Sequence, residues 1–353
     1  MILVAGGAGY IGSKLVPALL ESAMPVRVVD TFWFGNSLAA HPQLEVIQGD
    51  LSDFDIAWLE DVDAIIHLAG ISNDVSSEFA PELSIHANVG ATAHLAEAAS
   101  EKASQRRLPI KLIFASTCSV YSRPTNGTST ECDLLSEECT ATPTAIYARS
   151  KLTAELDLLR IAASNPLFCP VILRMGTVFG LSPRMRFDLV VNAFALDAWR
   201  MRVLTLEGAE GIWRPFLHID DAVGAYIGLL SGQLAQIRHR IFNLLGSNYR
   251  IADLANELAS AFGQHSGGFI EVRHNELANN GGRSYCADGQ RITEAFGIRP
   301  RRGIIPAAIS MWNALERGDF GSQPQDNPRY FNVQWLKQTL WNNSIFNEAV
   351  PKP

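Results

Sequence analysis

The segment that most limits how this chain can fold is its beginning. An apolar run, Ile2–Ala5, leads directly into Gly6-Gly7-Ala8-Gly9-Tyr10-Ile11-Gly12 and then into helical spacing over 11–22. Glycines at positions 6, 9 and 12 allow a tight turn whose backbone approaches a pyrophosphate at a helix N-terminus. A Cβ there would block either the positive-φ turn or the approach. A second apolar run ends at Asp30, 18 residues beyond Gly12. A carboxylate at that point accepts hydrogen bonds from adenosine ribose hydroxyls and repels a 2′-phosphate. No basic residue occurs in 31–40 to offset that repulsion. The combination predicts a dinucleotide site that prefers NAD to NADP, with Gly6, Gly9, Tyr10, Ile11, Gly12 and Asp30 around the cofactor.

Strand and helix signals alternate from there. Short apolar or β-branched runs recur at 26–29, 44–47, 64–68, 111–115 and 170–173, with helical spacing at 89–102 and 145–164 between them. This order predicts an α/β fold: a Rossmann-type doubly wound parallel sheet over 1–180, with 216–245 returning to it. A smaller C-terminal α/β substrate-binding domain is expected over 181–320, and an aromatic-rich extension over 321–353 with Phe320 at its edge. The 353 residues suffice for two such units. The polar stretch 122–143 reads as a long binding loop.

Further site candidates sit where strand runs end. Asp50, followed by Leu51, is placed either to meet an adenine amino group or to cap a helix. Leu68, Ala69 and Gly70 are small or apolar, as a backbone lying against a dinucleotide requires, while His67 reads as a core histidine rather than a catalyst. Tyr147 and Lys151 stand four apart on a helical stretch and share a face. A tyrosine ionises near pH 10, so it needs a nearby cation to act as a base at neutrality. Ser116 and Thr117 follow the fifth strand run, where either hydroxyl could hold a substrate oxygen.

Composition removes other classes. Lys plus Arg is 29 and Asp plus Glu is 36, for a net charge of −7, which argues against nucleic acid or anionic lipid gathered by charge. No apolar run reaches the ~18 residues of a membrane span. The five cysteines, Cys118, Cys132, Cys139, Cys169 and Cys286, lack CxxC or Cys/His ligand spacing. They read as reduced thiols in a cytoplasmic protein that binds no metal.

Together these motifs resemble the extended short-chain dehydrogenase/reductases, and within them the NAD-dependent nucleotide-sugar epimerase/dehydratase group. The resemblance spans about 1–315. It rests on the glycine turn, Asn88-Val89-Gly90-Ala91-Thr92, the hydroxyl segment 116–121, Tyr147 with Lys151, the segment 173–180, the segment 214–221 and the run 241–244. It implies Thr117, Tyr147 and Lys151 as catalytic residues, Asn88 among the cofactor contacts, and Ser116, Thr117, Cys118, Thr177, Arg214 and Arg283 among the substrate contacts. Thr177 stands where the family carries Asn. The family's dehydratases carry an Asp/Glu pair where this chain has Cys118 and Ser119, and its decarboxylases keep the Glu. The expectation is therefore a C4 epimerase working through a transient keto sugar, with a one-way reductase or dehydrogenase, or a silent dinucleotide sensor, as alternatives. A homodimer is expected from the helix after Lys151. It carries two apolar stripes, Leu152, Leu156, Leu159 and Ala163 on one and Ala154, Leu158, Ile161 and Ala162 on the other. Charge placed at Leu158 is expected to split the dimer.

Overall fold

The computed structural model describes residues 1–124, 132–208, 211–275 and 283–342, the side chains of 123, 124, 341 and 342 excepted. Seven parallel strands form the main sheet: β1 (Ile2–Ala5), β2 (Val26–Asp30), β3 (Leu44–Gln48), β4 (Ala64–His67), β5 (Ile110–Thr117), β6 (Phe168–Met175) and β7 (Arg240–Leu244). Their spatial order is β7-β6-β5-β4-β1-β2-β3. The chain starts mid-sheet, winds to one edge, returns past β1 and continues to the other. The reversal between β1 and β4 opens a crevice at the carboxyl ends of the strands.

Both faces of the sheet are covered, which is why its strands read as unbroken apolar runs rather than alternating ones. Along β5, Ile113 and Ala115 pack with α1 (Gly12–Glu21) and the helix Ile219–Ser231, while Leu112 and Phe114 pack with α2 (Ala91–Arg106) and α3 (Ile146–Ser164). On α3, the stripe Ala154, Leu158, Ile161 and Ala162 is the one buried against the sheet. Leu158 therefore lies in the core, and a charge there would attack the fold rather than an interface. Leu156, on the other stripe, is 60% exposed.

A second core forms around the helices Val190–Met201, Ile251–Ser266 and Ile304–Glu316, where Trp312 stacks on Phe262 with ring centroids 5.3 Å apart. A three-stranded sheet of Thr177–Phe179, Trp213–His218 and Ser247–Arg250 stands beside it and carries Arg214. Of the aromatic extension, Tyr330 and Phe331 join Phe320 around Phe187, and Trp335 lies 6.2 Å from Phe34. The Trp341 side chain and Phe346 fall outside the described residues.

The expectation of five reduced thiols is corrected. Cys132 and Cys286 are disulfide-bonded, with Cα atoms 5.8 Å apart, although 154 residues separate them in sequence. The bridge is a tertiary event: Cys286–Ala287 pairs in parallel with Leu134–Leu135, which brings the two thiols side by side. Cys118, Cys139 and Cys169 are free. The cysteines thus no longer argue for a reducing compartment. Among the described residues no helix is long and apolar enough to cross a membrane.

Candidate functional site

The crevice runs across the sheet from Asp50 to Arg214. At its adenosine end it is lined by Asp30, Asp50, Leu51 and the backbone of 68–70. Gly6 has φ +80°, and a Cβ on it would come within 2.6 Å of the Ala69 nitrogen. Gly70 has φ +141°, and a Cβ there would meet the Asn88 amide oxygen at 2.4 Å. Only glycine lets β1 and β4 end this close together. A Cβ on Gly9, by contrast, would meet only the Gly6 carbonyl, at 3.2 Å, so its other side is open to the crevice. That open glycine face, together with a carboxylate at the end of β2, fits a dinucleotide pyrophosphate and ribose.

Asp30 accepts hydrogen bonds from the Ala8 and Phe32 amides at 2.9 and 2.8 Å, which fixes its carboxylate. Burial raises its pKa, and these two amides pull against that shift. Replacing Asp30 with Ala is expected to erode the preference for NAD over NADP by more than about tenfold, because a like-charge clash is removed. Titration of both cofactors measures it, and equal wild-type affinities would contradict the assignment. Asp50 lines the crevice while its side chain accepts from the Ser52 amide at 2.8 Å, so the capping alternative is realised in place.

Tyr147, Lys151, Ser116, Thr117, Ser119, Thr177 and Arg214 share the reactive end of the crevice with Tyr10, Ile11 and Gly12. Thr117 comes from the end of β5, Tyr147 and Lys151 from successive turns of α3, and Thr177 from just beyond β6. Burial pushes the Tyr147 phenol up to about 12. Arg186 and a hydrogen bond from Thr117 oppose this shift, whereas Asp74 adds to it. Lys151 is 4% exposed, and burial pulls its ammonium down to about 8, with Glu155 partly offsetting. Its Nζ sits 4.6 Å over the Phe114 ring. The cation acting most directly on the phenol is Arg186, a residue that helix spacing around Tyr147 could not reveal.

Three expected site residues are placed differently from their assignments. Cys118 is fully buried, donates its thiol hydrogen to the Arg174 carbonyl at 3.0 Å, and clusters with Val120 and Tyr285 behind the crevice wall without lining it. Its thiol pKa is driven up by burial, so it is an inert core thiol. Asn88 is also fully buried. It accepts from the Ile71 amide at 2.8 Å and donates to the Ile71 carbonyl and Ser150, so it braces the Gly70–Ile71 backbone instead of facing the cofactor. Arg283 is ion-paired with Asp74, and its carbonyl accepts from Arg214. Arg214 itself stacks over the Tyr285 ring at 4.9 Å, and no carboxylate among the described residues pairs with it. His67 is fully buried with Nε2 2.8 Å from the Thr92 hydroxyl, and burial pulls its pKa to about 3, so it is a neutral core histidine.

Behind the reactive end lies a network that the linear pattern did not single out. Arg174 donates to both Glu155 carboxylate oxygens (2.6 and 3.1 Å) and to the Tyr121 hydroxyl (2.8 Å), and Ser116 hydrogen-bonds Glu155. Glu155 is 1% exposed and Arg174 is 4% exposed. The network ties α3 to the ends of β5 and β6, the three elements that present Tyr147, Thr117 and Thr177.

The chain resembles known proteins along most of its length. It is 24% identical over 339 residues to UDP-glucose 4-epimerase of Bacillus subtilis, covering 88% of this chain and 95% of that one. It is 27% identical over 239 residues to UDP-glucuronic acid decarboxylase 1 of Danio rerio, where the match covers 66% of this chain and about half, 54%, of the relative. Among solved structures, MoeE5 in complex with UDP-glucuronic acid and NAD superposes with a TM-score of 0.75 at 26% identity, covering 90% of this chain and 99% of MoeE5. The family model described as "NAD dependent epimerase/dehydratase family" matches residues 2–244. With that match, a doubly wound sheet and a glycine-lined crevice ending at Asp30, this chain belongs to the NAD dependent epimerase/dehydratase family, and its cofactor is NAD.

Proposed function

We propose that this protein is a nucleotide-sugar epimerase acting at C4 through a transient keto sugar. The observation that carries the reading is the convergence of Thr117, Tyr147 and Lys151 in one crevice. Among the described residues the one carboxylate lining its reactive end, Asp74, is tied through one oxygen to Arg283. Ser119, standing where related dehydratases and decarboxylases carry an acid, places its hydroxyl 2.9 Å from that of Thr117.

In this reading Thr117 and Tyr147 hold the sugar hydroxyl. The Tyr147 oxygen takes its proton as the carbon is oxidised and returns it after the ketone has turned over. Lys151 orients the nicotinamide ribose and shares positive potential with the phenol. NAD held by the glycine turn, Asp30 and Lys151 would supply the hydride acceptor and donor, and would emerge from the turnover unchanged. Arg214, with no carboxylate partner among the described residues, binds the substrate diphosphate as a bidentate donor, and the region 181–320 closes the substrate side. Holding substrate and cofactor side by side in this crevice would lower the barrier by proximity.

The decisive experiment incubates the NAD-loaded protein with a panel of uridine and deoxythymidine diphosphate sugars, hexoses and uronic acids included. Products are read by NMR and transient reduced nicotinamide by absorbance. A C4 epimer without net NADH is the expected result. Stoichiometric NADH would instead support a dehydrogenase, and loss of carbon dioxide a decarboxylase.

A homodimer belongs to the same proposal. On the Leu156 stripe of α3, Leu156 and Ala163 are exposed, whereas Leu152 packs in a cluster with Leu135, Cys139 and Ala141 of the long loop and Leu159 packs on the core beneath the helix. A self-complementary contact around a two-fold axis is the commonest cover for such a face. Light scattering across a dilution series is expected to give twice 38.6 kDa, and Leu156→Glu to shift it toward 38.6 kDa with the fold retained. A wild-type mass near 38.6 kDa at micromolar concentration would exclude the dimer.

A further inference from the structure

The C-terminal extension does not sit apart from the crevice. Its helix Asn332–Asn342 places Asn332 and Leu336 in the crevice wall, and Asn332 reaches both the cofactor and the reactive ends. Directly beneath it lies Arg184, only 6% exposed. The loop carrying Arg184 is docked onto the glycine turn by three contacts. Tyr10 donates its phenol hydrogen to the Gly180 carbonyl at 2.6 Å, Ser182 donates to the Tyr10 carbonyl at 2.7 Å, and the Ser13 and Ser182 hydroxyls are 2.8 Å apart. Arg184 is thereby held in the crevice wall with Gly9, Tyr10, Ile11 and Gly12, its guanidinium between Asn332 and the Phe34 ring.

No carboxylate among the described residues forms an ion pair with Arg184. Asp188, whose charge acts on it, is taken in bidentate fashion by Arg186 at 2.8 and 2.9 Å, and Asp30, the other carboxylate acting on it, is held by the Ala8 and Phe32 amides. Arg184 has a neutral amide, the Asn332 oxygen, 2.6 Å from one terminal nitrogen, and the Phe34 ring 3.7 Å away. Its Nε is buried with no partner. Burial and the adjacent Arg186 charge pull this guanidinium down to about 9. A buried cation without a counter-charge, in the same crevice wall as an anion-binding turn, is costly unless an anion completes it.

We propose that Arg184 is the counter-charge of the cofactor pyrophosphate and that Asn332 positions it, making the C-terminal helix a working wall of the dinucleotide site. The inference rests on the crevice binding NAD and not on the C4-epimerase reading, so either can fail alone. Cofactor leaving the site would then have to break the Arg184 contact under a docked helix, which suits a reaction that returns its hydride.

The test measures dissociation constants of NAD, ADP-ribose and UDP by calorimetry on the full-length, cofactor-stripped protein, with thermal melts to establish folding. Arg184→Gln is expected to weaken NAD and ADP-ribose by roughly 10–100-fold, the worth of a charged hydrogen bond, and to leave UDP unchanged. Asn332→Asp supplies Arg184 with its own carboxylate and keeps the side chain's shape. It is expected to weaken NAD and ADP-ribose to a similar degree while the cofactor-free protein melts no lower. A purely structural Arg184–Asn332 contact would leave cofactor affinity untouched in that second variant. Unchanged ADP-ribose affinity in Asn332→Asp would overturn the proposal even if Arg184→Gln fails to fold. A loss confined to UDP would overturn it as well, by assigning the guanidinium to the substrate.

Discussion

Tyr147→Phe is expected to lower turnover by roughly 10²–10⁴-fold, about 3–5 kcal/mol of transition-state stabilisation, with NAD affinity nearly unchanged. The substitution removes one oxygen and keeps the ring that packs at the base of the crevice. The proton that leaves the sugar hydroxyl then has no acceptor, because Thr117 is a neutral alcohol and Lys151 is directed at Phe114 and the ribose side. In the cofactor-free protein the phenol is held up at about 12 by burial, so it is a poor base until more positive charge arrives. Arg186 already contributes some, and the oxidised nicotinamide adds its own when bound. The expected consequence is that Arg186→Met, which leaves Tyr147 in place, also depresses turnover and moves its rise with pH to higher pH. Steady-state kinetics on the substrate identified by the sugar panel measure both. Near-normal turnover in Tyr147→Phe would remove the acid–base assignment.

The largest stability effect is expected behind the site. Replacing Arg174 with Met strips the 1% exposed Glu155 of its guanidinium and leaves Ser116 as its hydrogen-bond partner, and breaking a buried pair from one side costs about 3–5 kcal/mol. Denaturant unfolding should show this as a fall in midpoint. The double variant Arg174→Met with Glu155→Met should recover much of the loss, because neither member of the pair is then left buried without the other. Turnover is not expected to recover in step, since the pair also aligns α3 with the ends of β5 and β6. Equal stability of Arg174→Met and the parent chain would show that the network contributes orientation alone.

Short-range chemistry decided the parts that were legible without coordinates. The glycine turn, Asp30 and the strand–helix alternation depend on backbone conformations and spacings that neighbouring residues set, so β1, β2 and α1 stand within a residue or so of where their apolar runs place them. Tyr147 and Lys151 share a face because a helix turns once in about 3.6 residues, whatever surrounds it. Which cation faces the phenol, by contrast, depends on a loop 39 residues further along that the second unit folds back over the crevice. The same holds for Cys132 and Cys286, for Arg283 held by Asp74, for Cys118 turned inward, and for Asn332 beside Arg184. Each is a contact between residues that sequence order keeps 56 to 209 positions apart. Only the packing of two cores against one sheet brings them together, and no local preference of either partner encodes the meeting.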